Sequence, residues 1–235
     1  MTNAQSLEPE AYPLDLPISF EETVATMARS STKRSPYSVH PSLSMVQSSL
    51  RTLQERTGKT ADEWAAIVDA QVPDDEKARR EWLKTKHGFT TNYAWWIADL
   101  SLGKGRENMD PDAYLKAAEG YVEAMFAGKR AALRPLYGRL LDMGLGLGAD
   151  VKACPCQTIV PLYRNHVFAQ IKPASNTRID FGFALGAKKA TGRLIDTGGF
   201  AKKDRITHRI PIESEKDITA DVSRWLKTAY EMDGK

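Results

Sequence analysis

The chain has 235 residues, 42% of them apolar and 27% charged, with a mean hydropathy of −0.44. No run approaches the roughly 18 consecutive apolar residues of a membrane helix, so the composition excludes a membrane-spanning bundle and suits a globular chain with a sizeable core. The formal net charge of +3 is unevenly placed: seven basic residues and only Asp196 and Asp204 lie between Lys188 and Arg209.

Residues 1–40 mix Pro13, Pro17 and Pro36 with Ser30, Ser31 and Ser35, and carry one short amphipathic stretch with Phe20, Val24 and Met27 at helical spacing. They read as a partly ordered arm that docks this stripe on the main body. Met1 to Glu10 holds acids and no apolar run, which is not the pattern of a secretory signal.

Residues 42–102 read as a helical module. Val46, Leu50 and Leu53 share one helix face, and Gly58 is a left-handed cap. Thr60 and Glu63 make a capping box for the next helix, which presents Trp64, Ile67 and Val68. A third helix follows Pro73, with acids in its first turn, an apolar face of Ala78, Trp82 and Leu83, and a stop at Gly88. A fourth, from about Thr91 to Leu100, carries Tyr93, Trp95, Trp96 and Ile97. Four of the five tryptophans fall in this module, and burial of such large rings would supply much of a small core.

Residues 103–109 read as a linker, and residues 110–235 as an α+β domain. Asp110-Pro111 caps a helix whose inner face is Tyr114, Ala117, Ala118, Tyr121, Val122 and Met125. A second helix, about Pro135 to Met143, runs out at Gly144. Thr158–Tyr163, Val167–Ile171 and Arg178–Leu185 are β-rich runs with hairpin-length connections, and a fourth strand spans about Ile206 to Ile212. A last helix covers Ile218 to Tyr230. Helices first, then an antiparallel meander, then a helix, define the α+β class: an all-helical module followed by an antiparallel sheet packed with helices.

Thr57-Gly58-Lys59-Thr60, Glu63-Trp64 and Trp82-Leu83-Lys84, running to His87-Gly88, resemble a small helical domain of uncharacterised bacterial proteins. Tyr163-Arg164, Thr191-Gly192-Arg193-Leu194, Thr207-His208-Arg209 and Trp225-Leu226 with Ala229-Tyr230 resemble an α+β domain often fused behind it. The resemblance implies this architecture and a bacterial cytosolic setting, and supplies no reaction.

Several motifs invite chemistry and have simpler readings. Gly58-Lys59-Thr60 lacks the upstream glycine of a phosphate loop, since Leu53 occupies that position, and follows a helix where that loop needs a strand. Gly144-Leu145-Gly146-Leu147-Gly148 has the wrong spacing for a dinucleotide fingerprint and reads as helix termination. His87 to Leu100 has the spacing of a helix-turn-helix, but its would-be recognition helix carries no Arg or Lys. Cys154 and Cys156 admit no disulfide framework, which suits a reducing cytoplasm. With His166 and His208 they would make a Cys2His2 zinc set only if the sheet gathered all four; inert thiols are the plainer reading, and no metal is expected. No cofactor fingerprint is present, and no cofactor is expected.

The basic stretch is the strongest remaining signal. Arg178, Arg193, His208 and Arg209 would converge beside Gly192, Gly198 and Gly199 if their strands adjoin, with Lys202 and Lys203 on the neighbouring loop. Guanidinium forks bind phosphate or carboxylate in a bidentate way, and glycine-rich turns supply anion-binding amides. The plainer reading gives Arg178 and Arg209 cross-strand ion pairs, with Asp180, Asp196 and Asp204 as the carboxylates at hand.

Two functions follow. One is a non-enzymatic binding module with a basic surface for an anionic ligand, a nucleic acid or a phosphorylated molecule. The other is an enzyme that uses His208 with Arg178, Arg193 and Arg209 on a phosphorylated or carboxylated small molecule. The adjacent Trp95 and Trp96, which cannot both face one core, suggest a homo-oligomer; no membrane partner is expected.

Overall fold

The structure, a computed structural model, describes residues 35–234. The expectation of a docked amphipathic arm falls on residues 1–34 and lies outside the described residues. Of residues 35–40, Tyr37 forms a single parallel bridge with Ala153, and the Ser38 N–H donates to the Ala153 carbonyl at 2.9 Å.

Four helices come first: α1 (Ser42–Thr57), α2 (Ala61–Gln71), α3 (Glu76–His87) and α4 (Thr91–Ser101). Their ends follow the local chemistry. Gly58 and Gly88 take the left-handed conformation that closes α1 and α3, which L residues adopt only with strain. The Thr60 hydroxyl accepts from the Glu63 N–H while the Glu63 carboxylate accepts from the Thr60 N–H, the reciprocal box that starts α2.

Leu53, Trp64, Val68, Leu83, Phe89, Ala94, Ile97 and Ala98 form the helical core. The tryptophans contribute less than their number suggests. Trp64 is buried and Trp82 and Trp96 are half-buried, whereas Trp95 is 42% exposed beneath the Arg80 guanidinium. On α3 the buried pair is Arg79 and Leu83, four residues apart, and Ala78 is exposed.

Two further helices, α5 (Pro111–Met125) and α6 (Arg134–Leu145), precede the sheet, and α7 (Ala220–Asp233) follows it. Leu43 at the start of α1 packs with Tyr114 and Ala118 of α5 in a separate small cluster.

The six strands are β1 (Lys152–Ala153), β2 (Val160–Tyr163), β3 (Val167–Pro173), β4 (Ile179–Phe183), β5 (Ile195–Asp196) and β6 (His208–Ile212). All pairs are antiparallel, in the order β1-β2-β3-β4-β6-β5. The expected meander is therefore β2-β3-β4, joined by β6. The two short edge strands lie outside the expected set, because two residues show no alternation to read.

Alternation divides the sheet. Val160, Leu162, Ala169, Ile171, Phe181, Phe183, Ile210 and Ile212 share the main core with residues of α5, α6 and α7. A bulge at Phe168, where Leu162 and Tyr163 face Ala169 and Val167, inserts one extra residue into β3. It sends Phe168 into the core against Tyr230 and leaves Val167 beside Tyr163 on the other face.

Candidate functional site

The face of the sheet turned away from the helices carries Pro161 and Tyr163 of β2, Gln170 and Lys172 of β3, Asp180 and Gly182 of β4, and Arg209 of β6. A cavity of about 510 Å3 lies over it, walled on one side by Asp204, Arg205 and Ile206. This wall can approach because residue 182 is glycine. A Cβ there would stand 2.7 Å from Ile206 Cγ2 and 3.0 Å from Gln170 Cγ. Arg205 fixes the wall in place: its Nε donates to the Val167 carbonyl at 2.9 Å and its guanidinium pairs with the buried Asp233 carboxylate. Asp233 also accepts the backbone N–H groups of Asn165 and His166, so one carboxylate at the end of α7 joins the wall to the β2–β3 turn.

At one end of the cavity a single carboxylate serves several cations. Asp180 Oδ1 accepts from Arg178 Nε at 3.1 Å and from Arg209 Nη1 at 2.8 Å, and Lys172 stands opposite Asp180 in the strand register. Two guanidiniums on one carboxylate leave a local excess of one positive charge, Lys172 adds a cation on the same face, and Asp204 on the wall is the further carboxylate of the cavity. The remaining donors of the cations can reach phosphate or carboxylate oxygens.

The other end is neutral. His40 and Tyr163 both line the cavity, with Tyr163 Oη 3.0 Å from His40 Nε2. Burial holds the His40 ring below its ordinary pKa, and burial with the nearby Cys154 and Cys156 thiols pushes the Tyr163 hydroxyl up to about 12. Cys156 lines the cavity beside them, its thiol raised by burial; the fully buried Cys154 is pushed up to about 12 by burial and by Cys156. Thiols so shifted stay protonated at neutral pH and are poor nucleophiles and poor metal ligands. His166 Nδ1 faces Asp233 at 3.2 Å and His208 lies in the core, so neither completes a set with the cysteines. Among the described residues no group of three His, Cys, Asp or Glu could hold a metal ion.

The anticipated cluster is divided by the pleat. Arg209 lines the cavity and Arg178 adjoins it through Asp180. His208, one residue from Arg209, points the opposite way, 1% exposed, with Nδ1 2.8 Å from Thr207 Oγ1 and Nε2 buried without a partner. Successive residues of a strand face opposite sides, so an imidazole at 208 cannot join a guanidinium at 209 on one surface. Arg193 is committed elsewhere. It donates to the Asp217 carbonyl and the Pro211 carbonyl, both at 2.8 Å, and pairs with the Asp217 carboxylate at 2.9 Å, pinning the turn before α7 to β6. Lys202 and Lys203 are exposed and outside the cavity; Lys203 lines a separate hollow of about 610 Å3 with Phe200 and Met232.

His40, Tyr163 and Lys172 are the site residues that the sequence reading did not single out, whereas Asp180 was among its carboxylates for Arg178 and Arg209. For Lys172 the signal was present: polar residues at alternate positions of apolar strands mark a face without a helical cover.

Residues 45–102 match the family model described as domain of unknown function DUF4287, and residues 122–233 match that of domain of unknown function DUF5655. The chain carries two domains of unknown function. The DUF4287 match covers α1 through α4 but for the first residues of α1, and the DUF5655 match holds the whole sheet and α7. No curated protein and no solved structure matches the chain. No helix among the described residues is long and apolar enough to cross a membrane.

Proposed function

We propose that the chain is a non-enzymatic binding module that holds an organic anion in the cavity over the open face of its sheet. The observation that carries this reading is the sharing of Asp180 between Arg178 and Arg209 at one end of that cavity, with Lys172 opposite it in the strand register and outside any ion pair among the described residues. A bound phosphate or carboxylate would complete the charge balance there. Arg193 and Arg205 add little, because neither shares its carboxylate with a second guanidinium, whereas Arg178 and Arg209 divide one between them.

Titration of isotope-labelled protein with hexyl phosphate at low ionic strength tests the reading. Amide shifts are expected at Gly182 and Arg209. A Lys172→Gln, Arg209→Gln double variant is expected to bind more than about 10-fold more weakly, since charge-assisted hydrogen bonds are worth about 1.5–3 kcal/mol each. No response at about 1 mM probe, an affinity of only about −4.1 kcal/mol, would overturn it. Equal affinity in the double variant would do the same.

A further inference from the structure

We propose that the Tyr163 hydroxyl, oriented by His40, is a second recognition element in the same cavity, donating a hydrogen bond to a neutral acceptor at the far end of the bound anion. The inference rests on the reading of the cavity as an anion site and adds the shape and polarity of the ligand.

Hydrogen-bond direction fixes the roles. The Ser42 backbone N–H can only donate, and it points to His40 Nδ1 at 3.2 Å, with Ser42 Oγ 2.8 Å from the same nitrogen. Nδ1 therefore carries the lone pair and the proton of the neutral ring sits on Nε2. Nε2–H faces Tyr163 Oη at 3.0 Å, so the tyrosine oxygen accepts. Its own hydrogen has no partner among the described residues, and the ring lines the cavity. Edge-to-face contacts of the imidazole with Tyr114 and Tyr163, at centroid separations of 6.1 and 5.4 Å, hold the ring in this orientation. Burial keeps the imidazole neutral and the phenol protonated, which preserves the donor at neutral pH.

The two ends are well separated. Tyr163 is on β2 and Arg209 on β6, three strand spacings apart, or roughly 14 Å between backbones. The stretch between them is lined by Pro161, Val167, Gly182 and Ile206, with the Gln170 amide among them on β3. A small inorganic anion would satisfy one end only. The arrangement suits an elongated organic anion with phosphate or carboxylate at one pole and a carbonyl or ring-nitrogen acceptor at the other.

Two probes of equal length separate the contributions: hexyl phosphate and the same chain ending in a carboxamide. The carboxamide is expected to bind the full chain about 3- to 10-fold more tightly, the range of one net hydrogen bond. Tyr163→Phe should erase that difference and leave the hexyl phosphate affinity unchanged. His40→Leu should erase it too, whereas His40→Gln, which can accept from Ser42 and donate to Tyr163, should restore it. If both probes bind equally well to the unaltered protein, or Tyr163→Phe keeps the preference, the donor role is overturned while the anion site stands. If neither probe binds, the anion reading itself fails. The nitrogen-15 shifts of His40 give an independent measurement: a proton on Nε2 is expected, and a proton on Nδ1 would overturn the proposal without any variant.

Discussion

Arg79 shows how one side chain can organise a module. It is 1% exposed, and its donors are all directed at acceptors: the carbonyls of Pro73, Val72 and Ser101, the Ser101 hydroxyl, and the carboxylates of Asp69 and Asp74. These groups belong to the end of α2, the loop to α3 and the end of α4, so the guanidinium closes three separate backbone ends. Only a planar fork with five donors fits that arrangement. Arg79→Met should lower stability by about 1–3 kcal/mol, because the Val72 and Ser101 carbonyls lose their partner in a part-buried site while the Asp69 and Asp74 carboxylates stay in solvent. Arg79→Lys should recover only part of the loss. Urea unfolding midpoints measure both, and a neutral Arg79→Met would show that the network adds nothing beyond its packing volume. Hydrophobic periodicity could not find this residue: an arginine in a run of charged residues reads as solvated surface, and its acceptors are loop and helix-end groups that follow no apolar period, with Ser101 22 positions away. His40 and Tyr163 were hidden by distance, being 123 positions apart.

At the scale of elements, local chemistry was legible and close approach was not. The capping box at Thr60 and Glu63, the left-handed glycines at 58 and 88, and the cap at Asp110 each depend on residues within a turn, and each stands where the sequence places it. The glycine run 144–148 is different. Helix α6 continues through Gly144 to Leu145, and Gly144 is buried where the helix meets β2. A Cβ at 144 would fall within the van der Waals envelope of Leu162 Cδ1, and one at 148 would collide with the Tyr230 hydroxyl and the Asp150 carboxylate. Contact with the sheet calls for glycine at 144, while the helix ends within the run, at Leu145 with Gly146 as its cap. Gly144→Ala should therefore destabilise, although alanine is the better helix former by about 0.8–1.0 kcal/mol. Overpacking costs typically 1–3 kcal/mol, so a net loss of up to about 2 kcal/mol is expected in thermal or denaturant unfolding. A stabilised Gly144→Ala protein would mean that the helix and the sheet separate freely there.

Over the whole molecule, the seven basic residues between Lys188 and Arg209 are not one surface. Arg193, Arg205 and Arg209 are each paired with a carboxylate, while Lys188, Lys189, Lys202 and Lys203 are exposed and enter no ion pair among the described residues. Charge density along the sequence could not separate these groups, because the separation comes from the pleat and from Asp180, Asp217 and Asp233, all outside the stretch. The two populations predict different responses to salt. A polyanion held by the four lysines would release a counterion at each neutralised phosphate, giving a log–log affinity slope of about −3. An anion enclosed by Lys172 and Arg209 over the sheet exchanges roughly one counterion, for a slope of about −1. Hexyl phosphate titrated at several sodium chloride concentrations should follow the shallow slope, and Lys202→Gln with Lys203→Gln should leave it unchanged. A single-stranded oligonucleotide that binds with a steep slope, flattened when those two lysines are replaced, would move the anion site to the 199–204 loop. It would also restore the reading in which the basic stretch itself meets a nucleic acid.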